Sequence, residues 1–279
     1  MKLFIVATPI GNLGDITVRA LEILRAVDWI ACEDTRHSRR LLDHYGIQTA
    51  CFALHEHNER EATARLMTYL TCGQQVALIS DAGTPGISDP GARAVAVVRA
   101  AGFPVVPIPG PNAAMAAWSA SGLSDERFLF VGFLPAKAVA RRKELDQLAG
   151  LPAALVFYES PHRVAQTVLD MVATLDASRE IVMARELTKC FEEIVRCPLS
   201  QAVDWLSENE HRQRGEFVLI VSGPTQDREG DGQADRVLNL LLEEGLPVKQ
   251  AAKLAANITG AAKNDLYQKA LEFKHAINT

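Results

Sequence analysis

Four loops in this chain are rich in glycine or proline, and each follows a short apolar run: Thr8–Asp15, Ser80–Gly91, Pro107–Ala114 and Gly132–Pro135. A glycine-rich loop after a first strand commonly holds a phosphate on backbone N–H groups. The first loop here has neither the G-K-[ST] ending of a P-loop nor G-x-G-x-x-G, and it closes on Asp15, which would repel a phosphate. The plain alternative is a turn that lets a strand and a helix pack closely, with Asp15 capping the helix that starts near Thr17. The second loop carries three Gly, two Pro and two Asp in twelve residues, too much for a mere connection. Its Gly and Pro bring fixed backbone groups close to a ligand, and Asp89 reads as a cap of the next helix. In the third loop Asn112 reads as a helix cap, and the residues after Pro111 are small enough for close backbone approach.

Charged residues also cluster. Arg36, His37, Arg39 and Arg40 form one basic group, and Arg141, Arg142 and Lys143 another. Such runs are most often a solvated helix face. Asp34 and Arg36 read equally well as a helix-start ion pair or as chemistry. His55 and His57 stand two residues apart, which on a strand would point both one way, as a metal site requires; no further ligand is placed by spacing, so no metal is expected.

These residues need elements to position them. Strands are expected at Leu3–Ala7, Trp29–Cys32, Gln75–Ile79 and Val105–Ile108, separated by helices at Val18–Val27, Ser38–Tyr45, Glu59–Leu70 and Ala92–Ala101. Strands alternating with helices give a mostly parallel sheet, with ligands bound beyond the carboxyl ends of its strands. A second α/β half follows Pro111, with strands at Phe128–Val131, Ala154–Phe157, Ile181–Ala184, Glu193–Cys197 and Phe217–Val221, and helices at Val139–Leu148, His162–Leu175 and Ala202–Ser207. Two of its strands are nearly consecutive, which implies antiparallel pairing. The stretch GPTQDREGDGQ has no apolar side chain and reads as a linker. Beyond it, Asp235–Glu244, Val248–Ala256 and Lys263–Phe273 read as helices, the last two joined like a helix-turn-helix; a helical cap packed on the body is an equal alternative. The domains expected are thus 1–111, 112–223, a linker at 224–233 and a helical unit at 234–279. The chain has 279 residues and a net charge of -5, yet the tail from Pro247 carries five Lys against two acids. That balance excludes a generally basic nucleic-acid coat and leaves room for a local basic patch. Five cysteines without C-x-x-C spacing suit a reducing cytoplasm. No apolar stretch reaches the roughly 18 residues of a membrane span.

The motifs ATPIGNLGDIT, Cys32-Glu33-Asp34-Thr35-Arg36, HEHNE at 55–59, SDAGTPGISDPG, PGPNAA, GFLP, FYESPHR at 157–163, ARELTK at 184–189 and GEFVLIV at 215–221 occur in that order. Together they resemble the ribosomal RNA small subunit methyltransferase I family, a branch of the tetrapyrrole methylase superfamily, over nearly the whole chain. The resemblance implies two α/β domains of the class III S-adenosylmethionine (SAM) methyltransferase type plus a small helix-turn-helix-like domain. It implies 2′-O-methylation of a decoding-centre cytidine in 16S rRNA of the small ribosomal subunit by a cytoplasmic homodimer, with SAM as methyl donor.

SAM carries a sulfonium cation and no phosphate, which makes sense of an acidic, glycine-rich surface. Backbone carbonyls and Asp81 suit its positive sulfur and amino group, and by the resemblance its cradle comes from Pro9, Ala82, Gly83, Ile87, Asn112, Ala113, Tyr158, Leu187 and the run Gly215, Glu216, Phe217 and Val218. In-line methyl transfer needs alignment of oxygen, carbon and sulfur, and the weakly nucleophilic 2′-hydroxyl benefits from a base or a nearby cation. Candidates are Asp34, His55, His57, Glu159, Glu186 and Lys189, with Asp34 and His55 favoured as catalytic. Arg36, His57, Arg39, Arg40 and Lys189 are expected to hold the RNA. A small-molecule methylase acting on a corrin or porphyrin precursor is the rival enzyme, and a SAM-sensing or DNA-binding regulator the rival outside catalysis. The basic tail and the EDTR and HEHNE stretches favour RNA.

Overall fold

The computed structural model describes residues 1–224 and 226–277, with backbone alone for 226–233 and 272–277. The first half is a parallel sheet ordered β3-β2-β4-β1-β5, built from β1 (Leu3–Val6), β2 (Trp29–Cys32), β3 (Ala50–Ala53), β4 (Val76–Leu78) and β5 (Val105–Ile108). The central strands are apolar along their length because helices cover both faces. On one side Val6, Ile30 and Ala77 pack with Ala20 and Leu24 of α1 (Val18–Ala26) and Leu42 of α2 (Thr35–His44). On the other, Leu3, Ala31 and Leu78 meet Leu66 and Leu70 of α3 (Glu59–Thr71) and Val98 of α4 (Ala92–Ala100).

Strand β3 was not expected. Its sequence, Ala-Cys-Phe-Ala, is short and weak in strand formers, and it is held by pairing with β2 at the sheet edge. Helix α2 starts earlier than its apolar pattern suggests, because the Asp34 carboxylate caps it. Asp15 caps nothing: it ends a short 3-10 turn, and Thr17 is the cap, accepting from the Ala20 N–H at 3.1 Å.

The second half is a mixed sheet ordered β6-β7-β10-β8-β9, made of β6 (Phe128–Phe133), β7 (Ala154–Glu159), β8 (Glu180–Arg185), β9 (Glu193–Pro198) and β10 (Phe217–Val221). Only β6 and β7 pair in parallel; the others are antiparallel. Strand β10 is buried at every position, whereas edge strand β9 alternates, as one-sided packing requires. Helices α6 (Ala138–Leu148), α7 (Val164–Thr174) and α8 (Ala202–Ser207) cover one face; α5 (Ala113–Ala120) packs on the other. The second basic cluster is partly structural. Arg141 is buried, and its guanidinium meets the fully buried Asp170 at 2.6 Å, while Arg142 Nε reaches the other carboxylate oxygen at 2.7 Å.

The segment read as a linker is helical from Gln226, where α9 (Gln226–Glu243) begins. A lack of apolar side chains reads as a loop, but Gln, Asp, Arg and Glu extend a helix that the following apolar positions anchor. With α10 (Val248–Thr259) and α11 (Lys263–Ile277) it forms a small core rich in alanine, including Ala251, Ala252 and Ala255. Helix α10 ends at Gly260, whose φ of 76° is the left-handed conformation that closes a helix without penalty.

Candidate functional site

Strands β1 and β4 are neighbours, so the loops that leave their carboxyl ends lie side by side. They are pinned by a reciprocal pair: Thr8 N–H donates to Gly83 O at 2.8 Å, and Gly83 N–H to Thr8 O at 3.0 Å. Thr84 Oγ1 then donates to Pro111 O at 3.0 Å and ties in the loop after β5. Asn112 caps α5, its Oδ1 accepting from Met115 N–H at 3.0 Å. These ties build one wall of a cavity of about 340 Å³, within the size of small-molecule sites. The other wall comes from the second half.

The expected cofactor residues divide as follows. Ala82, Gly83 and Ile87 after β4, and Asn112 and Ala113 at α5, line the first wall. Tyr158 at the end of β7, Leu187 after β8, and Glu216, Phe217 and Val218 entering β10 line the second. Pro9 and Asp81 instead line a neighbouring recess of about 200 Å³, together with His37 and Arg40. Gly215 stands behind the wall with φ of 90°, where a Cβ would strike the Glu186 side chain. Gly11 is the hinge of the two halves' fit: a Cβ there would lie 2.6 Å from Lys189 Cγ and 2.8 Å from Thr188 Oγ1.

Three non-glycine residues among those described have positive φ: Ser88 (62°), Glu186 (51°) and Thr188 (66°). Ser88 lines the cavity, and the other two flank Leu187, which lines it as well. Such conformations cost about 1–3 kcal/mol each and persist where surrounding structure over-determines them, most often at functional sites.

The expected substrate residues are not gathered in one place. Lys189 lines the main cavity, where Nζ meets Glu186 at 2.8 Å and Glu216 at 2.7 Å. Burial pushes the Glu186 carboxyl up, but Lys189 and the Glu216 N–H outweigh it and hold it below the usual carboxylate range. Arg36 projects from the start of α2 with a 91% exposed side chain, while Arg39 pairs with Asp43 at 3.7 Å. His55 and His57 sit on a turn rather than a strand, their rings 6.1 Å apart, and the His55 N–H donates to Asn58 Oδ1 at 2.8 Å. Asp34 accepts from the Arg36 and His37 N–H groups at 2.7 and 3.4 Å, which keep its carboxyl below the ordinary value. Glu159 is buried and fully engaged: Ser160 N–H at 2.8 Å, Thr167 Oγ1 at 2.6 Å and Arg163 at 3.4 Å.

Asp89, read from the sequence as a helix cap, lines the cavity instead. Helix α4 is capped by Gly91 without any side-chain bond, so the carboxylate read as a cap is free to line the cavity. Burial and the nearby Glu33 charge, reinforced by Asp81, push it up to about 6, against a hydrogen bond to Ser80. Burial and Asp81 likewise raise Glu33. The spacing S-D-P-G gives the same signal for a cap and for a wall, so sequence alone does not separate them. Asp89, Glu33 and Asp81 thus crowd the loop ends with negative charge that His55, Ser80 and backbone N–H groups offset only in part. A cationic ligand relieves it; a phosphate would add to it. The residues present therefore fit the sulfonium of SAM.

Comparison with known proteins agrees with this chemistry. Residues 2–203 match the Tetrapyrrole (Corrin/Porphyrin) Methylases family model, and residues 228–274 match the RsmI C-terminal HTH domain. A ribosomal RNA small subunit methyltransferase I from Pseudomonas aeruginosa is 52% identical over 273 residues, covering 97% of this chain and 96% of the relative. One from Escherichia coli O157:H7 is 52% identical over 272 residues, covering 97% and 95%. Among solved structures, a cobalt precorrin-4 methyltransferase superposes with a TM-score of 0.60 at 17% identity, over 80% of this chain and 94% of its own. A uroporphyrin-III C-methyltransferase from Thermus thermophilus, complexed with S-adenosylhomocysteine, gives 0.57 at 16%, over 80% and 97%. At those identities the likeness is one of fold.

Proposed function

Because the chain belongs to the ribosomal RNA small subunit methyltransferase I family of tetrapyrrole methylases, we propose that it transfers the SAM methyl group to the ribose 2′-oxygen of a decoding-centre cytidine in 16S rRNA. That it is a SAM-dependent rRNA methyltransferase follows from membership; the cytidine and its 2′-oxygen are our reading. The observation that carries it is the family match along the whole length, helical tail included, since a macrocycle enzyme has little use for that tail.

In this reading SAM occupies the main cavity. Ala82, Gly83, Ile87, Asn112, Ala113, Tyr158, Leu187 and Phe217–Val218 shape its walls, and backbone groups make most of the contacts. When bound, SAM supplies an electrophilic methyl carbon. The chain's part is to bind the donor, exclude water and align the acceptor oxygen, and positioning accounts for much of the rate. Arg36, with Arg40 in the neighbouring recess, provides cations for RNA phosphates at the mouth of the first half. A 2′-hydroxyl acceptor requires RNA, and a stacked cytidine must be turned out to reach the cavity. The helical unit adds affinity for the ribosomal substrate. We place the enzyme in the cytoplasm as a homodimer, with domains at 1–111, 112–223 and a C-terminal helical unit.

One experiment separates the readings. The protein is incubated with methyl-labelled SAM and, in parallel, 30S subunits, naked 16S rRNA or a precorrin. Label in RNA, at a linkage that resists alkaline cleavage, supports 2′-O-methylation. Label in RNA that alkali still cleaves at that nucleotide points to base methylation, and label in the precorrin alone overturns the proposal.

A further inference from the structure

Pro9 and Asp81 line a recess of about 200 Å³ beside the main cavity. That volume lies below the roughly 300 Å³ at which sites for whole small molecules begin, and it suits a single planar ring. Leu13, Leu41 and Ile79 give the recess apolar sides. Its polar groups are few. Asp81 Oδ1 accepts from the Asp34 N–H at 3.1 Å, which fixes the carboxylate, and Oδ2 meets no donor among the described residues. Ser38 is 2% exposed, and its Oγ is buried without a nitrogen or oxygen partner, leaving only the weakly bonding Cys32 thiol. A buried hydroxyl and a carboxylate oxygen between apolar walls form a hydrogen-bonding set that the protein itself does not satisfy. His37 and Arg40 are exposed and stand where the recess opens. The recess and the main cavity share a wall: Thr8 lines the one and Gly83 the other, and their backbones exchange both N–H···O bonds.

Resting on the ribose-methylation reading, we propose that this recess seats the base of the acceptor nucleotide, and that Asp81 selects cytidine there by accepting from its exocyclic amino group. An ionised carboxylate only accepts hydrogen bonds. It takes the N4 amino hydrogens of cytosine and repels the O4 of uridine, which presents an acceptor at the same ring position. Ser38 Oγ supplies a second bond to the ring edge, and His37 and Arg40 meet the flanking phosphates. Cations at the opening suit a phosphate chain and would oppose a sulfonium. The position also fits the reaction. The ribose C2′ is bonded to the carbon that carries the base. A base in the recess therefore holds its 2′-oxygen against the Thr8–Gly83 tie, at the edge of the cavity that takes SAM. Asp81 acts by recognition and placement and moves no proton.

The test uses the full-length protein, methyl-labelled SAM and small-subunit RNA carrying cytidine or uridine at the nucleotide that the native chain labels. For D81N we expect the cytidine-over-uridine ratio of kcat/KM to fall by about 5- to 150-fold, because the Asn amide donates to uridine O4 as readily as it accepts from cytosine N4. Both RNAs meet the same cofactor and the same fold. Lost SAM affinity or stability therefore cancels in the ratio, and a merely structural role leaves it unmoved. L13W tests the recess without touching its charge. Leu13 is 38% exposed, so a larger ring there fills the recess without entering a core. It should raise the RNA KM while calorimetry finds S-adenosylhomocysteine affinity unchanged. An unchanged ratio in D81N overturns the proposal, as does a native KM in L13W. A loss of S-adenosylhomocysteine affinity in L13W that matches its loss of RNA would make the recess part of the cofactor site and overturn it too. A native chain that labels both RNAs equally keeps the ribose-methylation reading and overturns this inference alone. One that labels no RNA removes that reading first, and this inference with it.

Discussion

Gly11→Ala tests whether the first loop serves to fit the two halves together. The added Cβ would lie 2.6 Å from Lys189 Cγ, 2.8 Å from Thr188 Oγ1 and 3.1 Å from Leu187 O. Contacts under 3 Å demand movement. Lys189 cannot simply swing away, because its Nζ is held by Glu186 and Glu216 at 2.8 and 2.7 Å, and its Cγ lies near the backbone end of the side chain. Thr188 already sits at φ of 66°. The relief must come from separating the two loops, which moves Leu187 and Lys189 in the cavity wall. Overpacking of this kind costs about 1–3 kcal/mol. Carried wholly by the unliganded fold, it lowers the melting temperature by roughly 2–12 °C at this chain length. Carried wholly by the liganded state, it weakens SAM binding by about 5- to 140-fold. The cavity opens in the free protein and must be drawn closed again on binding, so both should shift, each by less than its bound. Calorimetry of SAM and a thermal melt measure them. The double variant with Lys189→Ala removes the closest contact, so its loss should be smaller than the sum of the two single losses. A Gly11→Ala chain that melts and binds like the native one, or strict additivity in the double variant, refutes the packing argument.

Asp170→Asn removes the charge that holds Arg141, which is buried, and should cost about 3–5 kcal/mol by leaving that cation unpaired, read as a fall in the denaturation midpoint at pH 7. Burial pushes the Asp170 carboxyl up, but Arg142 and Arg141 more than offset it and hold it below its usual value. Its contribution is therefore complete at neutral pH and lost as pH falls through the depressed folded-state value, so native and variant stabilities should converge in acid. Arg36→Ala, with its side chain in solvent and paired with Asp34 at 3.5 Å, should raise the RNA KM while SAM affinity by calorimetry stays unchanged; equal losses in both reject its assignment to RNA. Deleting 234–279 should raise the KM for the ribosomal substrate and spare SAM binding, and an unchanged KM would detach the helical unit from RNA recognition.

The alternation of strands and helices was legible because it rests on local periodicity: β2, β5 and β10 fall where their apolar runs place them. The edge strand β3 was not, since Ala50–Ala53 has no pattern of its own and owes its conformation to pairing with β2. Caps divide along the same line. Asn112 followed by small residues is a local signal, and it caps α5. Asp15 and Asp89 offered similar local signals, but Thr17 and Gly91 occupy the cap positions, and only the packed loops decide which residue stands there. The start of α9 at Gln226 shows the limit of composition, because a polar stretch continuous with an anchored helix reads like a linker. The loop motifs fall at the carboxyl ends of β1, β4 and β5, and all three contribute residues to the cavity. Which residues share a cavity depends on the approach of the two halves, so Asp81 and Ala82, adjacent in sequence, line different recesses.

The same packing weighs against ATPIGNLGD as a phosphate loop, alongside the missing lysine. A phosphate nest needs backbone N–H groups left free to converge on an anion. Here the donors at both ends of the loop are already engaged. Thr8 N–H goes to Gly83 O, Gly14 N–H to Asn12 Oδ1, Asp15 N–H to Asn12 O and Ile16 N–H to Leu13 O. These four donors hold the loop's own turn and its neighbour in place, and Gly11 packs closely against the segment 187–189. The charge of the site comes from elsewhere, from Glu33, Asp81 and Asp89 at the ends of the adjoining strands, where burial and mutual repulsion favour the arrival of a cation. Shape and charge are thus divided between loops. The first loop sets how closely the two walls meet, and the acids beside it set what sign of ligand the space between them receives.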